Sequence, residues 1–252
     1  MTTPTGEKIW ITGASSGMGR ELALRLAEAG NEVLVTARNR EALESMAAMH
    51  SGITPVPADL SDPDCVVFLQ ESLKQHTQVL DRMILNAGTC EYLEIDDPDW
   101  QMMERVMSVN YFGAIRSLAA GLPLLKQHST GARHIVAVGS QASRVVFPRA
   151  EAYGASKAAL TYFMESLAVD LADQNIRVSV VQPGFVETPL TESNDFPMPF
   201  LMSVDQAAEH ILKRLMARPT HIRFPWSLSS VLAIGSTLPW LWRNWVAPKL
   251  TR

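Results

Sequence analysis

The sequence predicts one α/β domain in which helices cover both faces of a doubly wound, parallel sheet of about seven strands. Short apolar runs rich in β-branched residues alternate with longer amphipathic runs from residue 8 to residue 225. Strands of this apolar kind are buried on both faces. Each conspicuous polar or glycine-rich motif directly follows one of these runs. The motifs therefore meet at the carboxyl edge of the sheet, where ligands bind in such folds.

The first strand and the first helix show the pattern on which the later assignments depend. Residues 8–12 form an apolar run that enters a glycine-rich stretch. Leu22, Leu26 and Ala29 then recur at helical spacing before the stop signal Gly30, which predicts a helix over 20–29. The same patterns predict strands over 32–36, 54–57, 82–86, 134–139, 177–182 and 221–224, and helices over 40–49, 62–75, 98–125, 152–173 and 204–217.

Composition and charge limit the classes of function. The chain has 252 residues, of which 47% are hydrophobic and 19% charged, enough to bury the core of one domain. A net charge of −4 argues against a nucleic-acid-binding protein, which needs a basic face. With no signal peptide evident, Cys65 and Cys90 are expected to be reduced thiols of a cytoplasmic protein. The six histidines lack metal-ligand spacing, so we expect no metal.

A glycine-rich turn, TGASSGMG at residues 12–19, joins the first strand to the first helix. Gly13 permits a tight turn, Gly17 lets the backbone approach a pyrophosphate, and Gly19 allows the helix to pack closely on the strand. The amino end of the helix offers unpaired N–H groups and partial positive charge to an anion. A lone glycine cluster would also fit a flexible surface turn. The strand before it and the helix after it favour a phosphate-binding turn.

This glycine spacing and six later motifs resemble the short-chain dehydrogenase/reductase family over about residues 8 to 225. The later motifs occur in order, each at its expected element: Asp59-Leu60, Asn86-Ala87-Gly88, Asn110, Ser140, Tyr153-x-x-x-Lys157 and Pro183-Gly184. The resemblance implies a Rossmann-type, NADP-binding catalytic domain over residues 1–225, followed by a C-terminal extension over 226–252. It implies cofactor contacts from Gly13, Ser15, Ser16, Gly17, Met18, Gly19, Arg38, Asp59, Leu60, Asn86, Ala87, Gly88, Tyr153, Lys157, Pro183, Gly184, Val186 and Thr188.

The end of the second strand indicates which nicotinamide cofactor binds. An acidic residue there would bind the ribose 2′-hydroxyl of NAD, whereas an arginine accommodates the 2′-phosphate of NADP. Residues 35–40 read VTARNR and contain no acid. We expect Arg38, assisted by Asn39 or Arg40, to bind the phosphate through its planar guanidinium. The predicted cofactor is therefore NADP(H), with NAD as the alternative, unless Arg38 is only a solvated loop cation.

Tyr153 and Lys157 are four residues apart on a predicted helix, so their side chains lie one turn apart on the same face. A phenol titrates near ~10, and a neighbouring ammonium together with an oxidised nicotinamide would stabilise the phenolate and lower that pKa. The same spacing is common on ordinary helices. The cofactor motif, and Ser140 at the end of a strand, favour a catalytic pair.

The family resemblance implies a role for each of these residues. In the direction of reduction, Tyr153 gives its proton to the carbonyl oxygen as hydride arrives at carbon, and Ser140 hydrogen-bonds that oxygen. Lys157 lowers the pKa of Tyr153 and binds the nicotinamide ribose. Asn110 binds a water that links Lys157 to solvent, and Thr188 lies near the nicotinamide carboxamide.

The segment between Ser140 and Tyr153 is expected to form part of the substrate pocket. Val145, Val146 and Phe147 follow the serine and would line an apolar wall. Arg144 and Arg149 could bind a substrate carboxylate. The other interpretation is that they are solvated loop cations.

Residues 185–203 correspond to the mobile substrate lid of the family. Here the lid is rich in Pro, Met and Phe, an adaptable apolar cover. We expect Phe196 and Phe200 to contact an apolar substrate. The alternative is that these side chains only pack beneath the loop.

The C-terminal extension is the least expected part of the sequence. No charged residue occurs from residue 224 to residue 242, and four of the six tryptophans fall in 226–252. A subunit interface or attachment to a membrane surface would each explain this composition, and Arg243, Lys249 and Arg252 could meet anionic lipid. A membrane span must also be considered at this length, although Pro225, Gly235, Pro239 and five Ser or Thr residues oppose it.

These observations predict an NADP(H)-dependent carbonyl reductase or alcohol dehydrogenase with an apolar, lipid-like substrate. The alternatives are a 3-oxoacyl thioester reductase and a non-catalytic NADP-binding sensor. The family resemblance implies a homodimer or homotetramer. We expect a cytoplasmic protein, with peripheral membrane contact through 226–252 as the open possibility.

Overall fold

The chain folds around a seven-stranded, all-parallel sheet with the strand order β3-β2-β1-β4-β5-β6-β7. The computed structural model describes residues 3–128, 133–192 and 194–250. The strands are β1 Lys8–Thr12, β2 Glu32–Thr36, β3 Ile53–Pro55, β4 Arg82–Leu85, β5 Arg133–Val138, β6 Ile176–Pro183 and β7 His221–Phe224. The longer helices are α1 Gly17–Glu28, α2 Arg40–Met49, α3 Cys65–His76, α4 Gln101–Met107, α5 Gly113–Gln127, α6 Glu151–Asp170, α7 Val204–Leu215 and α8 Trp226–Thr237.

The predicted doubly wound parallel sheet is confirmed. The order reverses beside β1, which pairs with β2 on one side and with β4 on the other. Crossovers from this point run in opposite directions, so a crevice is left at the carboxyl ends of β1 and β4.

Two apolar layers cover the two faces of the sheet, because successive side chains of a strand point to opposite faces. Ile9 and Ile11 of β1 pack with α1, α2 and α7, whereas Trp10 packs with α3, α5 and α6. The indole N–H of Trp10 donates to Thr36 Oγ1 at 2.9 Å, which satisfies the one polar group of this buried ring.

The long helix expected over 98–125 is interrupted. A π-helical turn at Ser108–Phe112 separates α4 from α5 and contains the buried Asn110. Apolar periodicity does not reveal one widened turn, because the backbone remains helical through it. The turn matters because it carries Asn110, one of the predicted site residues.

The helix α1 begins at Gly17, three residues before the expected start at residue 20. Gly17 and Gly19 lack side chains that periodicity could register, so the sequence pattern missed this first turn. As a result, the amino end of α1 lies inside the glycine-rich turn.

The C-terminal extension is helical in the part that the structure describes. After α8 the chain continues through short helical turns at Pro239–Leu241, Trp242–Val246 and Ala247–Lys249. Arg252 lies outside the described residues. Among residues 3–128, 133–192 and 194–250, no helix has the length and apolarity needed to cross a bilayer.

A buried charge cluster ties strands together at the amino edge of the sheet, opposite the predicted site. Arg82 of β4 is fully buried and forms a bidentate pair with Glu7, with both N–O distances at 2.9 Å. The third guanidinium nitrogen of Arg82, Nη1, contacts His134 Nδ1. The other ring nitrogen, Nε2, lies 2.8 Å from the Ser179 hydroxyl, which donates to the Pro219 carbonyl. This arrangement requires a neutral His134 that accepts from Arg82 and donates to Ser179.

The pKa of His134 lies well below its ordinary value, because burial and the nearby charges of Arg82 and Arg218 disfavour the imidazolium. The unfolded chain binds a proton near pH 6.5, so the free energy of unfolding should fall as the pH drops below that value. Its slope should approach about 1.4 kcal/mol per pH unit. Urea unfolding from pH 7.5 to 5 measures it.

The control for this prediction is His134→Gln, whose side chain can accept and donate hydrogen bonds without titrating. The variant should be less stable at neutral pH but should show a shallower pH dependence than the natural chain. Equal slopes would mean that His134 does not carry the effect.

Candidate active site

A cleft of about 600 Å³ lies along the carboxyl edge of the sheet, where the strand order reverses. Loops after the first six strands contribute to it. Its lining includes every predicted cofactor residue except Gly19. Residues that the sequence did not single out for this cleft also line it: Ala37, Ala58, Ser61, Val109, Val138, Gly139, Pro189, Leu190 and Thr191.

The glycine-rich turn is packed against the loop after β4. Gly13 has a φ of +67°, and a Cβ placed there would lie 2.6 Å from Ala87 Cα. A Cβ on Gly19 would lie 2.3 Å from the Gly13 carbonyl oxygen. Gly19 therefore lies beneath the turn and makes room for it, which explains its absence from the cleft lining.

Hydrogen bonds also join the glycine-rich turn and the end of β1 to the loop after β4. The Asn86 side-chain amide donates to the Gly13 carbonyl at 3.0 Å, and the Asn86 backbone N–H donates to Thr12 Oγ1 at 3.1 Å. The ends of β1 and β4 are thus joined at the floor of the cleft.

The end of β2 carries the expected cation. Arg38 is exposed and lines the cleft, whereas Arg40 lies outside the lining and pairs with Glu44 at 3.7 Å. Asn39 also lines the cleft, but its side-chain oxygen is engaged by the Ala42 N–H as the cap of α2.

Asp59 lies at the same end of the cleft and is ionised. Burial opposes its negative charge, but hydrogen bonds from the side chain and backbone of Ser61 lower the pKa of Asp59, as do the nearby charges of Arg38 and Arg116. Its Oδ1 accepts from the Ser61 N–H at 2.9 Å and from the hydroxyl at 2.7 Å. Asp59 is thus fixed in orientation before any ligand arrives.

Tyr153 and Lys157 line the inner end of the cleft, and Ser140 lies beside Tyr153 but outside the cleft lining. Ser140 follows β5, and α6 carries the other two on one face. The Lys157 ammonium donates to the Val138 carbonyl at 3.0 Å and lies 5.8 Å from the centroid of the Tyr153 ring. Tyr153 lines both this cleft and a second cavity beyond it, so its phenol stands at the junction of the two.

The pKa of Tyr153 is raised, whereas the sequence-based expectation was that it is lowered. Burial raises the pKa of Tyr153 to about 12, a hydrogen bond from Ser140 opposes the increase, and the negative charge of an ionised Cys90 adds to it. Burial also lowers the pKa of Lys157 to about 8, against the effect of Cys90. Loss of solvation is the largest cause of both shifts, and the Lys157 ammonium is directed at the Val138 carbonyl. At neutral pH Tyr153 therefore carries its proton.

Asn110 is fully buried next to Lys157, and its side-chain amide is hydrogen-bonded to other protein groups. Its Oδ1 accepts from the Thr89 N–H at 2.7 Å, and its Nδ2 donates to the Thr89 carbonyl and to Ser156 Oγ, both at 2.9 Å. A Cβ on Gly88 would lie 3.2 Å from Lys157 Nζ and 3.3 Å from Asn110 Oδ1. Asn110 therefore ties the loop after β4 to α6 next to the lysine.

A second cavity of about 240 Å³ begins at Tyr153 and Ser140. Aromatic and aliphatic side chains dominate its walls. They come from the loop after β4, the loop before α6, the lid and the C-terminal extension: Cys90, Tyr92, Phe147, Phe185, Leu190, Phe196, Phe200, Leu228, Val231, Leu232, Trp242, Val246 and Leu250.

The structure places only part of the predicted wall in this cavity. Phe147, Phe196 and Phe200 line it, but Val145 and Val146 do not. Val145 packs with Leu228, Leu232 and Trp242 beneath the C-terminal extension, and the Val146 side chain is exposed. The irregular backbone after the 3-10 turn at Gln141–Ser143 directs neighbouring side chains differently, which residue order alone does not reveal.

The lid is closed at its base, where Val186 and Met202 form a bridge. Residue 193 lies outside the described residues. Phe196 makes edge contacts with Tyr92 and Phe185, with ring centroids 5.5 and 6.1 Å apart. The lid aromatics thus pack against one another and also face the cavity, so the two interpretations of this loop are compatible.

Arg144 and Arg149 are engaged by the protein. Arg149 pairs with Glu94 and with Asp195 of the lid, at 2.8 Å for the latter, and lies over the Tyr92 ring at 5.5 Å. Arg144 donates to the Ser229 carbonyl at 3.0 Å. Arg149 joins the lid to the loop after β4, a role that neither sequence-based interpretation included.

Several cavity residues were not predicted from the sequence. Cys90 and Tyr92 follow the Asn86-Ala87-Gly88 motif by only a few positions, which was the one available signal. Trp242 comes from the C-terminal extension and has no motif. Its place at the cavity wall depends on tertiary contacts that the sequence does not reveal. One of them is the hydrogen bond from its indole N–H to the Val146 carbonyl at 2.7 Å.

Comparison with known proteins gives a consistent result. The family model for short chain dehydrogenase matches residues 7–197. An uncharacterised oxidoreductase of Myxococcus xanthus is 36% identical over 233 residues, which cover 91% of each chain. The 11-beta-hydroxysteroid dehydrogenase 1A of Arabidopsis thaliana is 34% identical over 76% of this chain, but the match spans only 55% of that protein.

Two solved structures are similar over most of the chain. The NADP active-site complex of RhlG from Pseudomonas aeruginosa is 25% identical with a TM-score of 0.79, covering 88% of this chain and 96% of that one. A short chain dehydrogenase from Burkholderia cenocepacia in complex with NADP has a TM-score of 0.83 at 24% identity, covering 97% of this chain and 99% of that one. At 24% identity, the comparison with the Burkholderia protein shows a similar fold only.

Gly13→Ala should destabilise the chain by more than backbone strain alone. A left-handed conformation costs a non-glycine residue about 1–2 kcal/mol, and the added methyl group would also overlap Ala87 Cα. Gly6→Ala is the matched control, because Gly6 has a φ of +69° but no atom within 4 Å of an added Cβ. Urea unfolding should show a clearly larger loss for Gly13→Ala; equal losses would contradict the close-packing account.

Proposed function

The chain belongs to the short-chain dehydrogenase family, and we propose that it is an NADP(H)-dependent oxidoreductase that interconverts an apolar carbonyl compound and its alcohol. One observation carries this proposal. Tyr153, protonated and buried, lines both a cleft of cofactor size and an apolar cavity. A single acid at that junction can exchange a proton with a substrate oxygen while the reacting carbon faces the cleft.

The residues of the cleft fit a nicotinamide dinucleotide. The tight approach of Gly13 to the neighbouring loop leaves backbone N–H groups and the amino end of α1 beside the cleft, which suits a pyrophosphate. The RhlG relative is a complex with NADP. Arg38 is exposed at the end of β2, where residues 35–40 contain no carboxylate, and would bind a 2′-phosphate.

When bound, the cofactor supplies or accepts the hydride, and the protein provides position and proton transfer. In reduction, the Tyr153 hydroxyl donates its proton to the carbonyl oxygen, and the Ser140 hydroxyl orients that oxygen by a hydrogen bond. Lys157, fixed by the Val138 carbonyl and positioned at the Tyr153 ring, would bind the nicotinamide ribose.

Replacement of the Tyr153 proton falls to Lys157 and Asn110 in this proposal. Burial brings the pKa of Lys157 to about 8, so its ammonium releases and recovers a proton near neutral pH. Asn110 fixes the Thr89 segment beside the lysine and would support the water that leads to solvent.

The cavity favours an uncharged, apolar substrate. Its walls are aromatic and aliphatic around Ser140 and Tyr153. Among the described residues that line it, the one arginine is Arg149, which is already paired with Glu94 and Asp195. A substrate carboxylate would therefore have to displace one of these partners, whereas an apolar ketone or aldehyde would displace only water.

Tyr153→Phe should reduce turnover by about 10²-fold or more, because it removes the proton donor. The affinity for NADPH should change little, since the ring remains and only the hydroxyl is lost. Oxidation of NADPH with a panel of medium- and long-chain aldehydes and ketones measures turnover, and quenching of tryptophan fluorescence measures binding. Normal turnover in the variant would overturn the mechanism. Tight NADPH binding by the natural chain without turnover of any carbonyl or alcohol would favour the sensor.

Arg38→Ser should weaken NADPH binding by about 10- to 100-fold, which corresponds to the loss of a charged hydrogen-bonding pair. NADH binding should be nearly unchanged, because NADH lacks the 2′-phosphate. Arg40→Ser is the matched control: Arg40 is a neighbouring exposed cation outside the cleft lining. An equal effect of the two substitutions on NADPH would mean that the preference arises from general charge rather than from Arg38.

A further inference from the structure

We propose that the C-terminal extension binds the surface of an anionic lipid bilayer and that the substrate cavity opens into this contact. The surface concerned, here called the aromatic face, consists of the exposed apolar side chains Trp226, Val231, Ile234, Leu238, Trp240, Leu241, Trp245 and Val246. Three of its tryptophans are 79%, 61% and 61% exposed. Exposed tryptophan of this density is typical of the headgroup level of a membrane.

The aromatic face is held in place by a buried side of the same segment. Leu228, Leu232 and Trp242 are buried together, and a Cβ on Gly235 would lie 2.5 Å from the Trp242 ring. The Trp242 ring also meets Phe147 edge-on, with centroids 5.8 Å apart. Because one side of the segment is packed so closely, the opposite side is presented to the outside as a formed surface.

Along α8 the exposed apolar residues follow helical spacing. Trp226, Ile234 and Leu238 recur at intervals of four or eight residues, and Val231 lies beside them. The buried residues Leu228, Leu232 and Gly235 form the opposite stripe. The outer side also exposes Ser230 and Thr237, whose hydroxyls donate to the Trp226 and Ile234 carbonyls of the helix. It carries no charged residue, whereas a surface helix facing water would carry charged residues there.

The charge of the C-terminal extension favours an anionic lipid bilayer as the partner of the aromatic face. Residues 224–252 contain no Asp or Glu, although the whole chain has a net charge of −4. Arg243 and Lys249 are exposed in the segment, and neither takes part in an ion pair in the portion of the chain that the structure describes. Anionic headgroups would attract these cations. A second copy related by two-fold symmetry would bring the same positive charges toward each other.

The cavity opens on the same surface. Six residues line the cavity and are also exposed: Leu190, Pro197, Pro199 and Phe200 of the lid, and Val231 and Val246 of the extension. The rim of the cavity is thus apolar and continuous with the aromatic face. A bilayer in contact with this face would deliver an apolar carbonyl compound without passage through water; this consequence rests on the proposed function, whereas binding to the bilayer does not.

Cosedimentation of the full chain with vesicles tests the proposal. Vesicles of phosphatidylcholine alone are compared with vesicles that also contain phosphatidylglycerol. The natural chain should bind the anionic vesicles more strongly, and Trp240→Ser with Trp245→Ser should weaken binding by about tenfold or more. Arg243→Ser with Lys249→Ser should remove most of the preference for phosphatidylglycerol. None of these four residues lines the cavity or the cleft.

Trp100→Ser is the matched control, because Trp100 is 60% exposed but directly precedes α4 and is not part of the extension. This variant should bind vesicles like the natural chain. The absence of binding by the natural chain, or equal losses for Trp100→Ser and the double tryptophan variant, would overturn the proposal. If light scattering shows that the double tryptophan variant breaks up an oligomer, and no form binds vesicles, the aromatic face is a subunit interface and the proposal fails.

Turnover in vesicle-free buffer separates this proposal from the proposed function. The double tryptophan variant should reduce a water-soluble ketone at the rate of the natural chain while losing vesicle binding. Vesicle binding without turnover of any carbonyl or alcohol would remove the function and leave the docking surface. Turnover without vesicle binding would remove the docking surface alone.

Discussion

The close contact between the glycine-rich turn and the loop after β4 is the constraint on which the cleft depends. Gly13 and Ala87 approach so closely that no side chain fits between them, and Asn86 bonds to the Gly13 carbonyl at 3.0 Å. These loops follow neighbouring strands at the reversal of the strand order. Since crossovers leave this point in opposite directions, a crevice opens above a floor that the contact keeps closed. Most of the other motif residues line the cleft above this floor.

Burial decides the electrostatics at the inner end of the cleft. It raises the pKa of Tyr153 and lowers the pKa of Lys157, because the charged form of either group loses solvation in the interior. The neutral phenol is thus ready to donate a proton, and the lysine exchanges one readily. In the same low-dielectric surroundings, a positive charge brought in by an oxidised nicotinamide would act on a phenolate more strongly than it would in water. The lowered Tyr153 pKa that the sequence predicted would then require the bound cofactor as well as Lys157.

Regular features were predictable because they repeat. The strands β1, β2 and β7 and the helix α2 begin and end where apolar periodicity placed them. The failures have local physical causes. The backbone stays helical through the π-helical turn around Asn110, so the two flanking helices were predicted as one. The prediction that Val145 and Val146 line the cavity wall was wrong, because an irregular loop directs the Val145 side chain under the extension and the Val146 side chain outward. Arg149 looked like a loop cation because its partners are 55 and 46 residues away.

The sequence by itself determined the fold class, the family and the motif residues that line the cleft, because these depend on periodicity and on short motifs that follow strands. Only the tertiary structure decided what surrounds Tyr153 on its other side. The cavity there is assembled from four segments distant in sequence, among them the C-terminal extension, whose Trp242 bonds to the Val146 carbonyl. Such contacts depend on the packing of distant side chains, and neither spacing nor composition encodes them in a form that can be read along the chain.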